Sequence, residues 1–328
     1  MLGRFNPFFL FFVAAFLVIY GGYYFFKSSK ELPIIAVTQI IEHETLDTVR
    51  EGMMARLKER GCEDGKNVRI LYQNAYGQLT TAAQIVQNFA NAKPKVLVAL
   101  STQSAQLLCG MSQQQHVPLI FSAVTDPVAA KLVSQMETRT PGITGISDYM
   151  SPEPQIAMMK AFFPHLRTLG VLYNPSEVNS AVYLQTFERA VVASNIALIK
   201  SPLNNTSEAV AATKKLIGSV DAIYFPNDNT AMAAVSAIVG VAHAQGVPVF
   251  ANDSASVERG ALAAVAYDRT QMGYDTADLV IEALEQGFSL AKPVRVGSNT
   301  LTVVSQEALS KLMLTVPKEL VSAVTIKN

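Results

Sequence analysis

The sequence predicts an α/β protein of two doubly wound parallel-sheet lobes, joined by a multi-strand hinge and preceded by an N-terminal hydrophobic helix. Three observations support this fold class. Apolar strand-like segments alternate with amphipathic helical segments in two successive runs, polar residues follow the strands of both runs, and the first 30 residues differ in composition from the rest. A chain of 328 residues is also long enough to bury two cores.

The N-terminal segment is apolar and uncharged. No charged side chain lies between Arg4 and Lys27, a run of 22 residues, and a bilayer-spanning helix needs about 20. Bulky residues stand at positions 23–26, where a secretory signal would carry a small-residue cleavage site. Residues 5–26 are therefore an uncleaved membrane anchor, or residues 1–30 are a cleaved signal sequence; a buried core helix is a weaker third interpretation. In the first two, we expect the remainder at the periplasmic face of the bacterial inner membrane, or free in the periplasm.

The first run predicts a parallel sheet covered by helices. Apolar segments typical of buried strands occupy residues 33–41, 68–72, 96–100 and 117–121. Apolar residues at helical spacing predict helices over residues 46–60, 80–92 and 103–111. The alternating order is the pattern of a parallel sheet with helices on both faces.

A second run of the same kind begins near residue 169. Its predicted strands are residues 169–173, 196–200, 222–225 and 247–250. Its predicted helices are residues 179–194, 206–217 and 229–244. A Val-Pro pair followed by an apolar strand occurs in both runs, at residues 117–121 and 247–250, which indicates two lobes of similar construction.

The C-terminal part of the sequence predicts further elements and several crossings between the lobes. A strand is predicted at 260–267, a helix at 268–286, short extended segments at 294–296 and 301–304, and a last helix near 306–314. We assign residues 31–147 plus 268–294 to an N-terminal lobe and residues 148–267 plus 295–328 to a C-terminal lobe. Because the chain then passes between lobes more than once, the connection is expected to act as a hinge.

The composition argues against several function classes. The chain has 26 basic and 26 acidic residues, and beyond residue 30 the acids exceed the bases by three, so we expect no nucleic-acid partner. The four histidines are scattered, and no phosphate-binding, dinucleotide-binding, nucleophile-elbow or zinc-protease motif is present. We therefore predict no catalytic residue, no metal site and no cofactor. Cys62 and Cys109 either pair in an oxidising compartment or stay separate as small apolar residues.

Polar residues at the strand ends are the candidate ligand-binding groups, because open α/β sheets bind ligands at the carboxyl ends of their strands. In the first lobe they are Gln39, Ser101, Thr102, Gln103, Ser122, Thr125 and Asp126. In the second lobe they are Glu177, Asn179, Asn227, Asp228 and Asp253. Each of them has an alternative role as a helix cap or a turn residue.

This set of hydroxyls, amides and acids fits a small zwitterion. A ligand carboxylate needs N–H and O–H donors, and a ligand amine needs a carboxylate. Asp126, Glu177, Asp228 and Asp253 are the candidate partners of the amine. We therefore predict capture of a small amino-acid-like ligand rather than turnover.

Six segments of the sequence carry a family resemblance. They are IAVTQIIEHETLD (35–47), FSAVTDPVAAKLV (121–133), ITGISD (143–148), LGVLYNPSEVNS (169–180), VDAIYFPNDNT (220–230) and VPVFANDSASVERGALA (247–263). Through them the chain resembles the type I periplasmic binding proteins, specifically the ABC-transporter substrate-binding family with tryptophan- and phenylalanine-binding members. The resemblance covers about residues 33–315. It departs at His43-Glu44, where the family often has His-Pro.

The resemblance implies a two-lobed fold joined by three strands that closes on a small ligand and delivers it to an ABC permease and its ATPase. It also favours an aromatic amino acid, Trp, Phe or Tyr, and Tyr149, Tyr173 and Tyr267 are candidate walls of the site or packing groups of hinge and core. The leading hypothesis is an extracytoplasmic substrate-binding receptor of an ABC importer. A membrane-tethered ligand sensor with the same fold is the alternative, and an α/β enzyme is disfavoured.

Overall fold

The computed structural model describes residues 31–326. The predicted hydrophobic helix within residues 1–30 lies outside this range and stays a prediction. Among the described residues, none of the helices combines the length and the apolar character needed to cross a bilayer.

The first lobe is built on a six-stranded sheet in which every pairing is parallel. Its strands are β1 Ile34–Gln39, β2 Arg69–Asn74, β3 Val96–Leu100, β4 Leu119–Val124, β5 Ile143–Ser147 and β11 Arg295–Val296, in the order β11-β5-β4-β3-β1-β2. Its helices are α1 Glu44–Glu59, α2 Leu79–Ala92, α3 Thr102–Gln115 and α10 Arg269–Gln286. Strands β3, β4 and β5 are buried along their whole length, which explains their continuous apolar sequence.

The second lobe is built on a seven-stranded sheet. Its strands are β6 Thr168–Tyr173, β7 Ala197–Pro202, β8 Ala222–Tyr224, β9 Val249–Ala251, β10 Ala263–Tyr267, β12 Thr300–Ser305 and β13 Val324–Ile326, in the order β13-β12-β10-β9-β8-β6-β7. Its helices are α4 Pro152–Phe162, α5 Val178–Ala193, α6 Ala209–Leu216, α7 Asn229–Ala233, α8 Val235–His243, α9 Ser254–Glu258 and α11 Gln306–Leu312. The pairing of β10 with β12 is antiparallel and the others are parallel.

Each sheet has an apolar cluster on both faces, as the predicted α/β lobes require. In the first lobe α1 and α10 cover one face and α2 and α3 the other. In the second lobe α4, α5 and α11 cover one face and α6 and α8 the other. The stacked rings of Phe187 and Tyr224, with centroids 4.5 Å apart, lie at the centre of the second lobe.

The chain passes between the lobes three times, after β5, after β10 and after β11. The predicted assignment of residues 295 and 296 to the C-terminal lobe is wrong, because Arg295 pairs with Ile146 and Val296 with Ser147 in the first sheet. The third crossing therefore lies after Val296. A strand this short, within a weakly patterned segment, gives no periodicity from which its sheet can be predicted.

Two elements of the hinge region were not predicted, namely β5 and α4. Strand β5 contains Gly145, and glycine weakens the sequence pattern of a strand. The glycine is required here, because a Cβ at this position would lie 2.1 Å from the carbonyl oxygen of Phe121. The predicted helix over residues 229–244 is divided at Ala234, where φ is −103° and ψ is 9°. Its first part, α7, is a single capped turn that faces the other lobe.

Helices α1 and α10 approach so closely that both carry glycine at the contact. A Cβ on Gly52 would lie 2.7 Å from the carbonyl oxygen of Thr270, and one on Gly273 would lie 2.3 Å from that of Val49 and 2.7 Å from the amide nitrogen of Met53. The atoms in the way belong to the backbone, so they can move only if the helices separate. The close contact fixes α10, which follows the second crossing, against the first lobe.

We expect Gly273→Ala to lower the free energy of unfolding by about 1–3 kcal/mol, because the methyl group forces α1 and α10 apart. Gly110→Ala in α3 is the matched control, since Gly110 is exposed and a Cβ there meets no atom within 4 Å. Its higher helix propensity should leave the protein unchanged or more stable by about 0.5–1 kcal/mol. Urea unfolding measures both, and equal effects of the two substitutions would contradict the close contact.

Candidate functional site

The carboxyl ends of the strands of both sheets meet at the interface between the lobes and enclose a small cavity. The first lobe and the first crossing line it with His43, Thr45, Leu46, Thr102, Ala123, Thr125, Asp148 and Arg269. The second lobe lines it with Asn179, Asn227, Asn229 and Met232. The cavity volume is about 20 Å³, which is room for roughly one water molecule. The lobes are therefore in a closed arrangement.

Three consecutive residues at the start of α1 hold the lobes together. The Nε2 atom of His43 lies 3.3 Å from Oδ1 of Asn229, and the hydroxyl of Thr45 donates to Oδ1 of Asp253 at 2.8 Å. Between them, Glu44 accepts a hydrogen bond from Nε of Arg259 at 3.0 Å near the surface. The first two contacts are buried, and each joins a residue of one lobe to a residue of the other. They can therefore form only while the lobes are closed.

The hydrogen bonds of His43 fit a neutral ring with its proton on Nε2. Nδ1 accepts a hydrogen bond from the backbone N–H of Leu46 at 3.4 Å, which makes His43 the N-cap of α1 and leaves Nε2–H to donate to Asn229. Burial lowers the pKa of His43 below its ordinary value of 6.5, and the Asn229 hydrogen bond and the nearby Asp253 and Glu177 offset part of this effect. The closed state therefore disfavours a protonated His43.

A buried ion pair lies at the hinge side of the cavity. Nη1 of Arg269 lies 2.9 Å from Oδ2 of Asp148, and the exposed fractions of the two side chains are 3% and 5%. Arg269 also donates from Nη2 to Oδ1 of Asn227 at 3.2 Å, and Asp148 accepts from Thr125 at 2.8 Å. The Nε–H of Arg269 has no partner. The cavity thus has one group of each charge and further donors and acceptors around them.

Four of the predicted site residues line the cavity. They are Thr102, Thr125, Asn179 and Asn227. The hydroxyl of Thr102 and Oδ1 of Asn179 are buried without a hydrogen-bond partner, so both are available to a ligand.

Two more predicted residues, Gln103 and Glu177, line a groove of about 280 Å³ between the lobes, beside the cavity. The rim of the groove carries Tyr76 and Leu79 of the first lobe, whose exposed fractions are 65% and 69%. Two large apolar side chains are thus accessible next to a largely polar wall.

The other predicted residues of the first lobe lie off the cavity and make hydrogen bonds inside the lobe, although Oε1 of Gln39 is buried without a partner. Gln39 donates to Asp47, Ser101 caps α3, Ser122 accepts from Thr276, and Asp126 accepts from the backbone N–H groups of its own loop. The helix-cap or turn role is therefore the observed arrangement for Ser101 and Asp126.

The acids of the second lobe are likewise engaged by donors. Asp228 caps α7 and accepts from the backbone N–H groups of Asn174 and Ala231, and burial together with the nearby Glu177 raises its pKa to about 7. Asp253 caps α9 while it accepts from Thr45 of the other lobe. Neither residue lines the cavity.

Sequence reasoning missed several residues that line the cavity, chiefly His43, Asp148, Asn229 and Arg269. Asp148 follows the unpredicted strand β5, so no strand end pointed to it. Arg269 lies two residues after the end of strand β10 and was the available signal, because polar residues that follow a strand end are candidate ligand groups. Tyr149, Tyr173 and Tyr267, the candidate aromatic walls, do not line the cavity.

Within residues 31–326 no three His, Cys, Asp or Glu side chains are grouped so that they could hold a metal ion. Cys62 and Cys109 are both free thiols. They pack on opposite faces of the first sheet, and burial raises the pKa of each thiol. The separate-residue interpretation of the two cysteines is thus the observed one.

The comparisons with known proteins agree with one another. The sequence profile described as "ABC transporter substrate binding protein" matches residues 34–327. A relative from Clostridioides difficile named "Tyrosine-binding protein" is 32% identical over 285 residues, which are 87% of this chain and 82% of the relative.

Two solved structures are also similar to the chain. A domain from Streptococcus pneumonia in complex with L-Trp has a TM-score of 0.85 at 26% identity and covers 90% of this chain and 100% of its own. The ligand-free, open structure of a substrate-binding protein with adhesive properties from Clostridium difficile has a TM-score of 0.68 at 30% identity, with the same coverage. The lower TM-score against the open structure, despite its higher identity, agrees with closed lobes in the present chain.

We expect the Asp148–Arg269 pair to show strong coupling in a double-mutant cycle. Asp148→Asn and Arg269→Gln should each lower the free energy of unfolding by about 3 kcal/mol or more, because each leaves the opposite charge buried without its partner. The double variant leaves no buried charge and should lose clearly less than the sum. Urea unfolding provides the values.

Glu188→Gln is the control for this cycle. It removes a comparable ion pair with Lys200, in which both side chains are 40% exposed, and should cost less than about 1 kcal/mol. Additive losses at Asp148 and Arg269, or losses as small as that of the control, would contradict a buried pair.

Proposed function

The chain belongs to the ABC transporter substrate-binding protein family, and from this we propose that it is the receptor of an importer that captures an aromatic L-amino acid between its lobes. The observation that carries the proposal is the pairing of opposite charges in the interlobe cavity. One carboxylate, Asp148, and one guanidinium, Arg269, stand side by side with 5% or less of each side chain exposed. A cavity with one charge of each sign fits a zwitterion better than a sugar or an inorganic ion.

Each end of an α-amino acid has matching groups in the cavity. The Nε–H of Arg269 and the hydroxyl of Thr102 have no internal partner and supply donors for a carboxylate. Asp148 and the Oδ1 atom of Asn179 supply acceptors for an ammonium group. Leu46, Ala123 and Met232 add apolar surface for a side chain.

Aromatic specificity is proposed from the relatives, one named as tyrosine-binding and one solved with L-Trp. The cavity of about 20 Å³ is smaller than any amino acid. We therefore propose that the ligand enters an open cleft, displaces part of the Asp148–Arg269 and His43–Asn229 contacts, and is then enclosed. Binding would shift the population from open to closed lobes.

The proposed partners are an ABC permease and its ATPase, and the proposed role is capture without chemical change. The uncharged run at residues 5–26 favours attachment to the periplasmic face of the inner membrane. Cleavage within residues 1–30 would instead release the receptor into the periplasm.

We expect L-Tyr, L-Trp or L-Phe to raise the melting temperature of the full chain when each of the twenty amino acids is tested in turn. Ligand at about 100 times its Kd should add about 2.7 kcal/mol to the free energy of unfolding. Calorimetry then supplies the affinity. Stabilisation by L-Ala alone would contradict aromatic specificity, and a folded protein stabilised by none of the twenty would contradict the proposed function.

We expect affinity for L-Tyr to fall between pH 7.5 and pH 5.5. Burial in the closed state lowers the pKa of His43 and so favours the neutral ring, whereas exposure to water in the open cleft would remove this effect of burial. At low pH a proton therefore binds His43 more readily in the open state than in the closed state, which opposes closure of the lobes. Calorimetric titrations at the two pH values measure the effect.

His43→Gln should remove this pH dependence, because glutamine can still donate to Asn229 but does not titrate. His243→Gln is the control: burial and Lys311 also lower the pKa of His243, which lies on α8 and does not line the cavity. This variant should keep the wild-type profile. A pH dependence that survives His43→Gln would show that another group controls closure.

A further inference from the structure

Glu177 is a fully buried carboxylate that meets the cavity only through other residues. Its side chain accepts hydrogen bonds from the backbone N–H groups of Asn229 and Thr230, from the hydroxyl of Thr230 and from the side-chain amides of Asn179 and Asn229. The distances lie between 2.7 and 3.1 Å. A carboxylate has about four lone-pair sites, so five donors leave no acceptor for a ligand.

The first consequence is a fixed orientation for the amide of Asn229. Its Nδ2 donates to Oε2 of Glu177 at 2.7 Å, so its carbonyl oxygen points the other way. There Oδ1 accepts from Nε2–H of His43 across the interface between the lobes. Both ends of the amide are thus specified, and Asn229 presents an oxygen rather than an N–H group to the cavity.

The amide of Asn179 is fixed by the same carboxylate. Its Nδ2 donates to Oε2 of Glu177 at 3.1 Å and to the carbonyl oxygen of Asn227 at 2.7 Å. Its Oδ1 is buried, has no hydrogen-bond partner, and belongs to a residue that lines the cavity. A buried acceptor without a partner is costly unless a donor reaches it.

We propose that Glu177 is a positioning residue that holds the amides of Asn179 and Asn229 with their oxygens toward the cavity, where they receive the ammonium group of the ligand. This inference rests on the proposed function. It also changes the role expected for Glu177 from the sequence, because the carboxylate acts through two asparagines and does not touch the amine. Two amide oxygens accept N–H donors while adding no charge to the closed interface.

The test compares L-Tyr with 3-(4-hydroxyphenyl)propionate, which lacks only the ammonium group, by calorimetry on the full chain. The wild type should prefer L-Tyr. In Glu177→Gln one carboxylate oxygen becomes an NH2 group that faces donors, so the asparagine amides lose their fixed orientation. Affinity for L-Tyr should fall roughly tenfold or more while affinity for the analogue stays unchanged, so the preference shrinks.

Two further variants separate positioning from a general structural role. Asn179→Ala should reduce the same preference, and adding Glu177→Gln to it should cost less than the two losses combined. Asp221→Asn is the matched control, since Asp221 also accepts two backbone N–H bonds in this lobe, from Arg167 and Thr168 at the opposite ends of the strands. That variant should keep the full preference for L-Tyr even if its stability falls.

The outcomes are distinct. Equal losses for L-Tyr and the analogue in Glu177→Gln, or an unchanged preference, would overturn the positioning role while leaving the proposed function intact. If Glu177→Gln does not fold, Asn179→Ala decides, and a full preference for L-Tyr in that variant overturns the assignment. A folded wild type that binds no amino acid would overturn the proposed function first, and the assignment with it.

Discussion

The closed arrangement brings groups of both lobes together around a buried ion pair at the hinge. Asp148 stands in the first crossing between the lobes, and Arg269 begins the helix that follows the second crossing. Removing two charges from water costs several kcal/mol per ion, and only close pairing with additional hydrogen bonds offsets it. Thr125 from the first lobe and Asn227 from the second provide those bonds, so pairing these charges brings groups from both lobes to one place.

The contacts between the lobes also determine which groups are present in the cleft. Groups that close the lobes, such as His43, Asn229 and Arg269, are also the groups that line the cavity. Under the proposed function, a ligand would therefore replace contacts between the lobes with its own contacts. The net affinity would be the difference between the two sets of contacts, so specificity would be sensitive to unpaired groups such as Oδ1 of Asn179 and Nε of Arg269.

The sequence was sufficient to predict the two α/β lobes. Buried parallel strands appear in it as continuous apolar runs, and the apolar residues of the helices recur with a period of 3.6 residues. It also located the strand ends that face the cleft, including Thr102 and Asn179. The sequence could not distinguish residues that cap a helix from residues that line the cavity. Asp228 caps α7 and its neighbour Asn227 lines the cavity, and only their side-chain directions differ. Asp148 was missed because its strand is short and contains glycine. The orientation of the Asn229 amide could not be predicted, because it is set by Glu177, 52 residues earlier in the chain.

The two lobes contribute unequally to the charge of the cleft. Three acids that follow strands of the second lobe, Glu177, Asp228 and Asp253, each accept backbone N–H bonds at the start of the five-residue helices α7 and α9. These helices begin inside the closed interface, where water cannot satisfy their first N–H groups, so the carboxylates are used as caps.

The second lobe is left with neutral amides at the cavity. Arg269 begins α10, which packs on α1 of the first lobe, and the backbone N–H of Asp148 donates to the carbonyl oxygen of Val124 in β4. We therefore expect both charges to stay with the first lobe when the lobes separate. Under the proposed function, a zwitterion would be attracted first to that lobe, and the second lobe would close over it with oriented, uncharged acceptors.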